Sequence, residues 1–124
     1  MTREAILYEK RPNGKVLCTA CARYCEMKKG QIGLCGVRGN ENGKLDLYVY
    51  GKVIAGHVDP IEKKPVIHYN PGSKIFSIAT TGCNWLCKYC QNSDISQRRK
   101  VEGVDMTPEQ VVSTAVEHGA DGIA

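Results

Sequence analysis

The sequence predicts an α/β protein in two parts: a small, cysteine-rich, mainly β segment over residues 1–72, and the start of a parallel β/α domain over residues 73–124. Two observations lead to this prediction. In the second part a strand-like run, a well-marked helix and a further apolar run follow one another, which is the order of a parallel crossover unit. In the first part four cysteines, many turn formers and one hairpin signal take the place of sustained helical periodicity.

The mainly β character of the first part rests on a hairpin. Asn42-Gly43 is a strong signal for a two-residue turn. The residues after it alternate, which predicts a half-buried strand with Leu45, Leu47 and Val49 on one face and Asp46, Tyr48 and Tyr50 on the other. A second extended run is predicted over residues 52–58. An irregular, proline-punctuated connector is predicted to follow, from Asp59 to a turn at Asn70-Pro71-Gly72.

The second part begins with a strand predicted over residues 74–80. Farther on, Thr107 is predicted to cap a helix, with Pro108 in its first position and Gln110 completing a capping box. The predicted apolar stripe of this helix is Val111, Val112, Ala115 and Val116. Gly119 is predicted to end the helix, and residues 121–124 to begin a second strand.

Composition and charge argue against nucleic-acid-binding, membrane-spanning and disulfide-stabilised proteins. The charge of +4, from 17 basic and 13 acidic residues among 124, is too small and too scattered to indicate a nucleic-acid partner. No apolar stretch approaches the roughly 20 residues that cross a bilayer. The odd number of cysteines, 7, argues against a closed disulfide framework, and the charged N-terminus does not resemble a signal peptide. We therefore expect a cytoplasmic protein without a membrane segment.

Three cysteines follow the predicted strand 74–80. Cys83, Cys87 and Cys90 form the spacing C-x3-C-x2-C. Three thiolates can hold three corners of a 4Fe-4S cluster, and a short loop with three ligands leaves the fourth iron open to a substrate. A cluster that only transfers electrons normally has four cysteine ligands. The missing fourth cysteine therefore favours a catalytic cluster.

The sequence around these cysteines resembles the radical S-adenosylmethionine (SAM) superfamily. The resemblance includes Tyr89, which occupies the aromatic position before the third cysteine, and the flanking G-C-N and C-x-Y-C-x-N residues are similar to those of pyruvate formate-lyase-activating enzymes. Residues 1–72 extend the resemblance. Their C-x2-C-x3-C run, residues 33–38, residues 59–65 and residues 71–73 are similar to AmmeMemoRadiSam-system radical SAM enzymes.

This resemblance implies a fold, cofactors and a reaction. The fold would be a partial (β/α) barrel, and the cofactors a 4Fe-4S cluster on Cys83, Cys87 and Cys90 together with SAM. One electron, from a donor such as ferredoxin or flavodoxin, would cleave SAM to methionine and a 5'-deoxyadenosyl radical that abstracts hydrogen from a substrate. Tyr89 would lie against the adenine side of SAM, with a packed core aromatic as the alternative. The substrate, a protein or a small molecule, is left open, and glycyl-radical-enzyme activation is an analogy.

The barrel is expected to be incomplete in this chain. Only residues 91–124 follow Cys90, whereas each β/α unit needs roughly 30 residues. We therefore interpret the sequence as an N-terminal fragment of a radical SAM enzyme. By itself it is expected to be inactive, because later strands would supply most contacts to SAM and substrate.

The other four cysteines are a candidate for a second metal site. Cys18, Cys21, Cys25 and Cys35 form the spacing C-x2-C-x3-C-x9-C, which does not match a ferredoxin run. Zinc, an auxiliary iron-sulfur cluster and unligated or redox-active thiols all remain open. Two other classes of protein compete with the enzyme: a non-catalytic iron-sulfur electron carrier, and a zinc-stabilised binding module that leaves the second cysteine set unexplained.

Overall fold

The structure is a computed structural model that describes residues 2–124. Its strands are β1 (Arg3–Glu4), β2 (Tyr8–Lys10), β3 (Val16–Cys18), β4 (Glu26–Met27), β5 (Arg38–Glu41), β6 (Lys44–Leu47), β7 (Lys52–Val53), β8 (Ala55–Pro60), β9 (Lys74–Ala79), β10 (Val104–Asp105) and β11 (Gly122–Ile123). The helices are α1 (Ser93–Ser96) and α2 (Pro108–Glu117), with short 3-10 turns at Pro12–Gly14 and Ile61–Lys63. Within the described residues, no helix combines the length and the apolar character needed to cross a bilayer.

Two small antiparallel sheets build the N-terminal part. One has the strand order β2-β3-β4 and the other β1-β6-β5. They enclose one core, in which Val16 and Leu45 have no solvent exposure. The remaining buried members of this core are Ala5, Cys18 and Met27, with Cys25 packed at its edge. Burial of these apolar side chains is the main stabilising term available to so short a segment.

The predicted hairpin is confirmed. β5 and β6 pair antiparallel, and the two turn residues between them, Asn42 and Gly43, have φ angles of 54° and 86°. Positive φ at both central residues is the geometry of the type I′ turn that Asn-Gly favours. The strand is shorter than predicted, since β6 ends at Leu47 and Val49 lies in the turn that follows, although Val49 is buried.

Asn40 connects three backbone segments of the N-terminal part. Its side chain has no solvent exposure. The Nδ2 group donates to the carbonyl oxygens of Gly14 and Met27, both at 2.9 Å, and Oδ1 accepts the Gly43 amide at 2.8 Å. A buried amide with all three bonds formed is stabilising, whereas the same group without partners would be costly.

The predicted strand-helix-strand unit is also confirmed. β9 and β11 are parallel neighbours, with Gly122 opposite Ile75, and α2 lies between them in the chain. One pairing was not predicted: β8 runs antiparallel along all of β9, from Ala55 opposite Ala79 to Pro60 opposite Lys74. The sheet therefore has the order β11-β9-β8 and joins residues from both sides of position 72.

Helix α2 has the predicted caps. Thr107 Oγ1 accepts the Gln110 amide at 3.2 Å, and the Gln110 side chain accepts the Thr107 amide at 2.8 Å. At the other end Gly119 has a φ of 63°, and the amides of Gly119 and Ala120 bond back to the carbonyls of Val116 and Ala115. This pair of bonds is a Schellman motif.

The predicted apolar stripe of α2 is only half right. Val111 and Ala115, four residues apart, are partly or fully buried. Val112 is 53% exposed and Val116 is 69% exposed. Val112 and Val116 follow Val111 and Ala115 by one position each, which is a rotation of about 100° around the helix axis. They therefore lie off the packed face.

A two-stranded antiparallel ladder, which we call the clasp, joins β7 before residues 80–92 to β10 after them. β7 and β10 pair antiparallel, with Val104 opposite Val53. Lys52 and Asp105 add an ion pair at 3.1 Å. Gly103 permits the close approach, because a Cβ atom there would lie 2.8 Å from the Val53 carbonyl oxygen.

Candidate metal and cofactor site

Residues 80–92, which we call the cluster loop, leave the sheet at the carboxyl end of β9 and lead into α1. This is the position predicted for the loop. It contains Cys83, Cys87 and Cys90, which are free thiols of intermediate exposure. The carboxyl ends of parallel strands are where β/α proteins bind their ligands. A loop at this position is therefore suited to hold a cofactor.

Local hydrogen bonds hold the backbone of the cluster loop and contact two of its sulfurs. The Trp85 amide donates to Cys83 Sγ at 3.3 Å, and Cys90 Sγ lies 3.2 Å from Ser96 Oγ. Gln97 Nε2 donates to the Cys87 carbonyl at 2.7 Å. Hydrogen bonds to cysteine sulfurs are one means by which proteins tune iron-sulfur clusters. The loop therefore already has polar contacts at two of its three predicted ligands.

The aromatic residues of the cluster loop face solvent. Tyr89 is 90% exposed and Trp85 is 65% exposed. Residues 2–124 therefore form no core around Tyr89, and its alternative interpretation as a packed aromatic finds no support within them. Its predicted position against the adenine of SAM stays a prediction, and its ring is free to meet a ligand.

The four N-terminal cysteines lie on two turns. Cys18, Cys21 and Cys25 belong to the connection between β3 and β4, where the Cys18 amide donates to the Cys25 carbonyl at 3.0 Å and the Tyr24 amide to the Cys21 carbonyl at 3.2 Å. Cys35 lies in a second turn, which the Gly36 amide closes by donating to Gly33 at 2.9 Å. Two cysteine-bearing turns that approach each other are typical of structural zinc sites.

The structure brings the N-terminal cysteines and one cysteine of the cluster loop to a cavity of about 310 Å³. The four N-terminal cysteines and Cys83 line it. The two cationic lining residues are Arg23 and Arg38. The sequence interpretation treated the two cysteine sets as separate regions, and their common cavity was not predicted.

Tight backbone contacts join the two cysteine regions. Gly82 has a φ of 94°, and a Cβ atom there would lie 2.4 Å from Val37 Cγ1 and 2.9 Å from the Cys35 carbonyl oxygen. Arg23 Nε donates to the Asn84 carbonyl at 3.2 Å. These contacts were not predicted from the sequence, and Arg23 was not among the predicted site residues. The usable signal was Gly82, a glycine directly before the first loop cysteine.

The donor chemistry of both cysteine sets fits a thiophilic metal or an iron-sulfur cluster. All seven cysteines are free, and thiolates favour zinc and iron-sulfur centres over hard cations. In the side-chain conformations of residues 2–124, no group of three or more His, Cys, Asp or Glu residues is arranged to hold a metal ion. Metal binding at either set therefore requires its sulfurs to be drawn together, as happens when metal binding and folding are coupled.

Comparison with known proteins finds a relative whose function is uncharacterized. The chain is 44% identical over 124 residues to an uncharacterized protein, MJ0808, of Methanocaldococcus jannaschii. The match covers 98% of this chain and 37% of that relative, so the chain spans little more than a third of its length. No family model matches the chain. No solved structure matches it either.

Proposed function

We propose that the chain is the cluster-binding part of a radical SAM enzyme, in which Cys83, Cys87 and Cys90 hold a 4Fe-4S cluster with one open iron. The observation that carries the proposal is the three-cysteine loop at the carboxyl end of β9, beside the parallel strand β11. The resemblance of residues 81–92 to the superfamily supports it further. The cluster, when bound, supplies the electron and the open iron for reductive cleavage of SAM.

The chain's own residues would position this group. β9 fixes the start of the cluster loop, and the Gln97 side chain ties its middle through the Cys87 carbonyl at 2.7 Å. The Trp85 amide and the Ser96 hydroxyl contact two of the sulfurs. Holding reacting groups at fixed geometry is a large part of an enzyme's rate advantage. The exposed ring of Tyr89 is available to stack on a ligand base.

The testing experiment measures iron and the response to SAM. The chain is reconstituted with iron and sulfide under anaerobic conditions, and the spectrum of the reduced protein is recorded with and without SAM. We expect a 4Fe-4S signal that changes when SAM is added. Cys87→Ala should lose the iron, whereas Lys88→Ala, an exposed neighbour without a thiol, should keep it. Full iron and an unchanged spectrum in Cys87→Ala would contradict the proposal.

One observation favours a second candidate, a closed iron-sulfur electron carrier. Cys83 lines the same cavity as the N-terminal cysteines, so a fourth thiol ligand is close at hand. Cys35 is the candidate, since its carbonyl oxygen lies 2.9 Å from the position of a Cβ on Gly82, the residue before Cys83. A closed cluster predicts that Cys35→Ala loses the loop iron and that SAM leaves the spectrum unchanged. The open cluster predicts that Cys35→Ala keeps the loop iron and that SAM changes the spectrum.

A further inference from the structure

We propose that the cavity between the two N-terminal cysteine turns is a structural zinc site, with Cys18, Cys21, Cys25 and Cys35 as its four ligands, and that it braces the cluster loop. This inference rests on the N-terminal thiols alone and is independent of the proposed function of Cys83, Cys87 and Cys90. It assigns a second, chemically distinct metal to the chain.

The lining of the cavity selects the kind of metal. Its anionic ligands among residues 2–124 are thiols alone, since no aspartate or glutamate lines it, and no histidine does either. A site of thiolates alone disfavours magnesium, calcium and manganese, which take oxygen ligands. The choice therefore lies between zinc and an iron-sulfur cluster.

The local fold favours zinc. Cys18 ends β3 and Cys25 precedes β4, so three ligands lie on the connection of one antiparallel pair, and the fourth comes from the separate turn at Gly33–Gly36. The two turns already approach, because a Cβ atom on Gly33 would lie 3.7 Å from Cys25 Sγ. Four thiolates hold tetrahedral zinc, and the intervals Cys18–Cys21 and Cys21–Cys25 match the two to four residues usual between neighbouring zinc ligands.

Charge and burial are consistent with the same site. Zinc with four thiolates carries a net charge of about −2, and two cationic residues, Arg23 and Arg38, line the cavity. Cys18 is only 7% exposed and packs in the N-terminal core. A metal bonded to Cys18 would therefore fasten the second turn directly to that core.

The site would act on the cluster loop through the tight contacts at Gly82. Its neighbours there are Val37 and the Cys35 carbonyl, which belong to or directly follow the second ligand turn. The Arg23 side chain, between two ligands of the first turn, adds the hydrogen bond to Asn84. When zinc fixes both turns, it fixes the surface on which residues 82–84 rest.

The primary test removes the cluster loop thiols and measures metal content. The full chain carrying Cys83→Ala, Cys87→Ala and Cys90→Ala is purified without oxygen and analysed for zinc and iron. We expect one zinc ion per chain and no iron. Further substitution of Cys21→Ser and Cys35→Ser should abolish the zinc. Absence of zinc from the triple variant, or iron-sulfur absorbance in it, would overturn the inference.

Two further measurements cover the case in which the five-fold variant fails to fold. The triple variant, stripped with a chelator, is titrated with Co²⁺, which should give the intense absorption of a tetrahedral tetrathiolate site. Cys18→Val in the same background keeps an apolar side chain in the core, and it should lose the zinc although the core is still filled. A Co²⁺ titration without thiolate bands, or full zinc in Cys18→Val, would refute the assignment.

The bracing role has its own readout. The Gly82 amide donates to the Ile95 carbonyl at 3.0 Å, so its hydrogen exchange reports on the start of the cluster loop. Removal of zinc from the triple variant should speed exchange at Gly82 at least tenfold. The exchange of amides in α2, none of whose residues lines the cavity, serves as the control. Unchanged exchange at Gly82 would show that the zinc does not support the loop.

Discussion

Gly82 lies against Cys35 so closely that a Cβ atom on Gly82 would stand 2.9 Å from the Cys35 carbonyl oxygen. Gly82 directly precedes the first predicted cluster ligand, and Cys35 is the last of the N-terminal cysteines. A backbone contact of this kind means that neither cysteine region can shift without the other. The junction between them therefore depends on the absence of one side chain.

Gly82→Ala is expected to destabilise the chain by about 3 kcal/mol or more. The substitution combines a strained positive φ of 94° with a clash against Val37 and the Cys35 backbone. Gly72→Ala is the matched control, because Gly72 has a φ of 81° and nothing within 4 Å of the added atom. That control should cost only about 1–2 kcal/mol. Urea unfolding of both variants makes the comparison, and equal losses would show that the contact is unimportant.

Asn40→Asp is expected to cost about 3 kcal/mol or more near neutral pH. The Nδ2 donor faces the carbonyl oxygens of Gly14 and Met27, so a carboxylate there would set an unpaired charge against two acceptors. Asn42→Asp makes the same chemical change at an exposed turn position and should be nearly neutral. Thermal unfolding distinguishes them. A similar small loss in both variants would contradict the connecting role of Asn40.

Thr107→Ala should destabilise the chain by about 1 kcal/mol, because it removes the hydroxyl that accepts the Gln110 amide at the start of α2. Thr107→Ser retains that oxygen and is expected to keep most of the stability. The measurement is urea unfolding followed by circular dichroism. If serine and alanine behaved alike, the capping bond would contribute nothing.

Tyr48 should be the source of a stability loss at high pH. Burial of the ring, and then the hydrogen bond that its hydroxyl donates to Glu41 at 2.7 Å, raise the pKa of Tyr48 to about 12. A tyrosine in the unfolded chain ionises near pH 10. The stabilising contribution is therefore complete below about pH 10 and is lost as the pH rises toward about 12.

Tyr48→Phe should remove this alkaline pH dependence. The check is the free energy of unfolding of both proteins on either side of about pH 10, with tyrosinate absorbance recorded in parallel. The difference between the two proteins should shrink as the pH rises. A constant difference would show that Tyr48 titrates at its ordinary pKa.

Local signals were sufficient for the elements that local chemistry determines. Asn42-Gly43 selects its own turn, and Thr107, Pro108 and Gln110 fix the start of α2 through bonds within four residues. The point at which the cluster loop starts also followed, because it is set by the end of the preceding strand. The turn and the helix start are local enough to form before the rest of the chain is in place.

Contacts between residues far apart in the chain were not predicted from the sequence. Nothing in the pattern of residues 55–60 specifies β9 as their partner, and the exposure of Val112 and Val116 depends on how α2 sits against the sheet. The same holds for the cavity that Cys83 shares with the N-terminal cysteines. Spacing identified the candidate ligands, whereas the packing of Gly82 on Val37 and Cys35 and the Arg23–Asn84 hydrogen bond place Cys83 beside the N-terminal set.

The β7–β10 clasp has a kinetic consequence. It joins Lys52 to Asp105, which are 53 positions apart, and closing a flexible loop of that length costs about 3.5 kcal/mol or more in entropy. Because pairings of large sequence separation form slowly, the hairpin β5–β6 and helix α2 should form first and the clasp late. Since the cluster loop lies inside the closed segment, a cluster delivered during synthesis would meet an open chain before it meets a finished site.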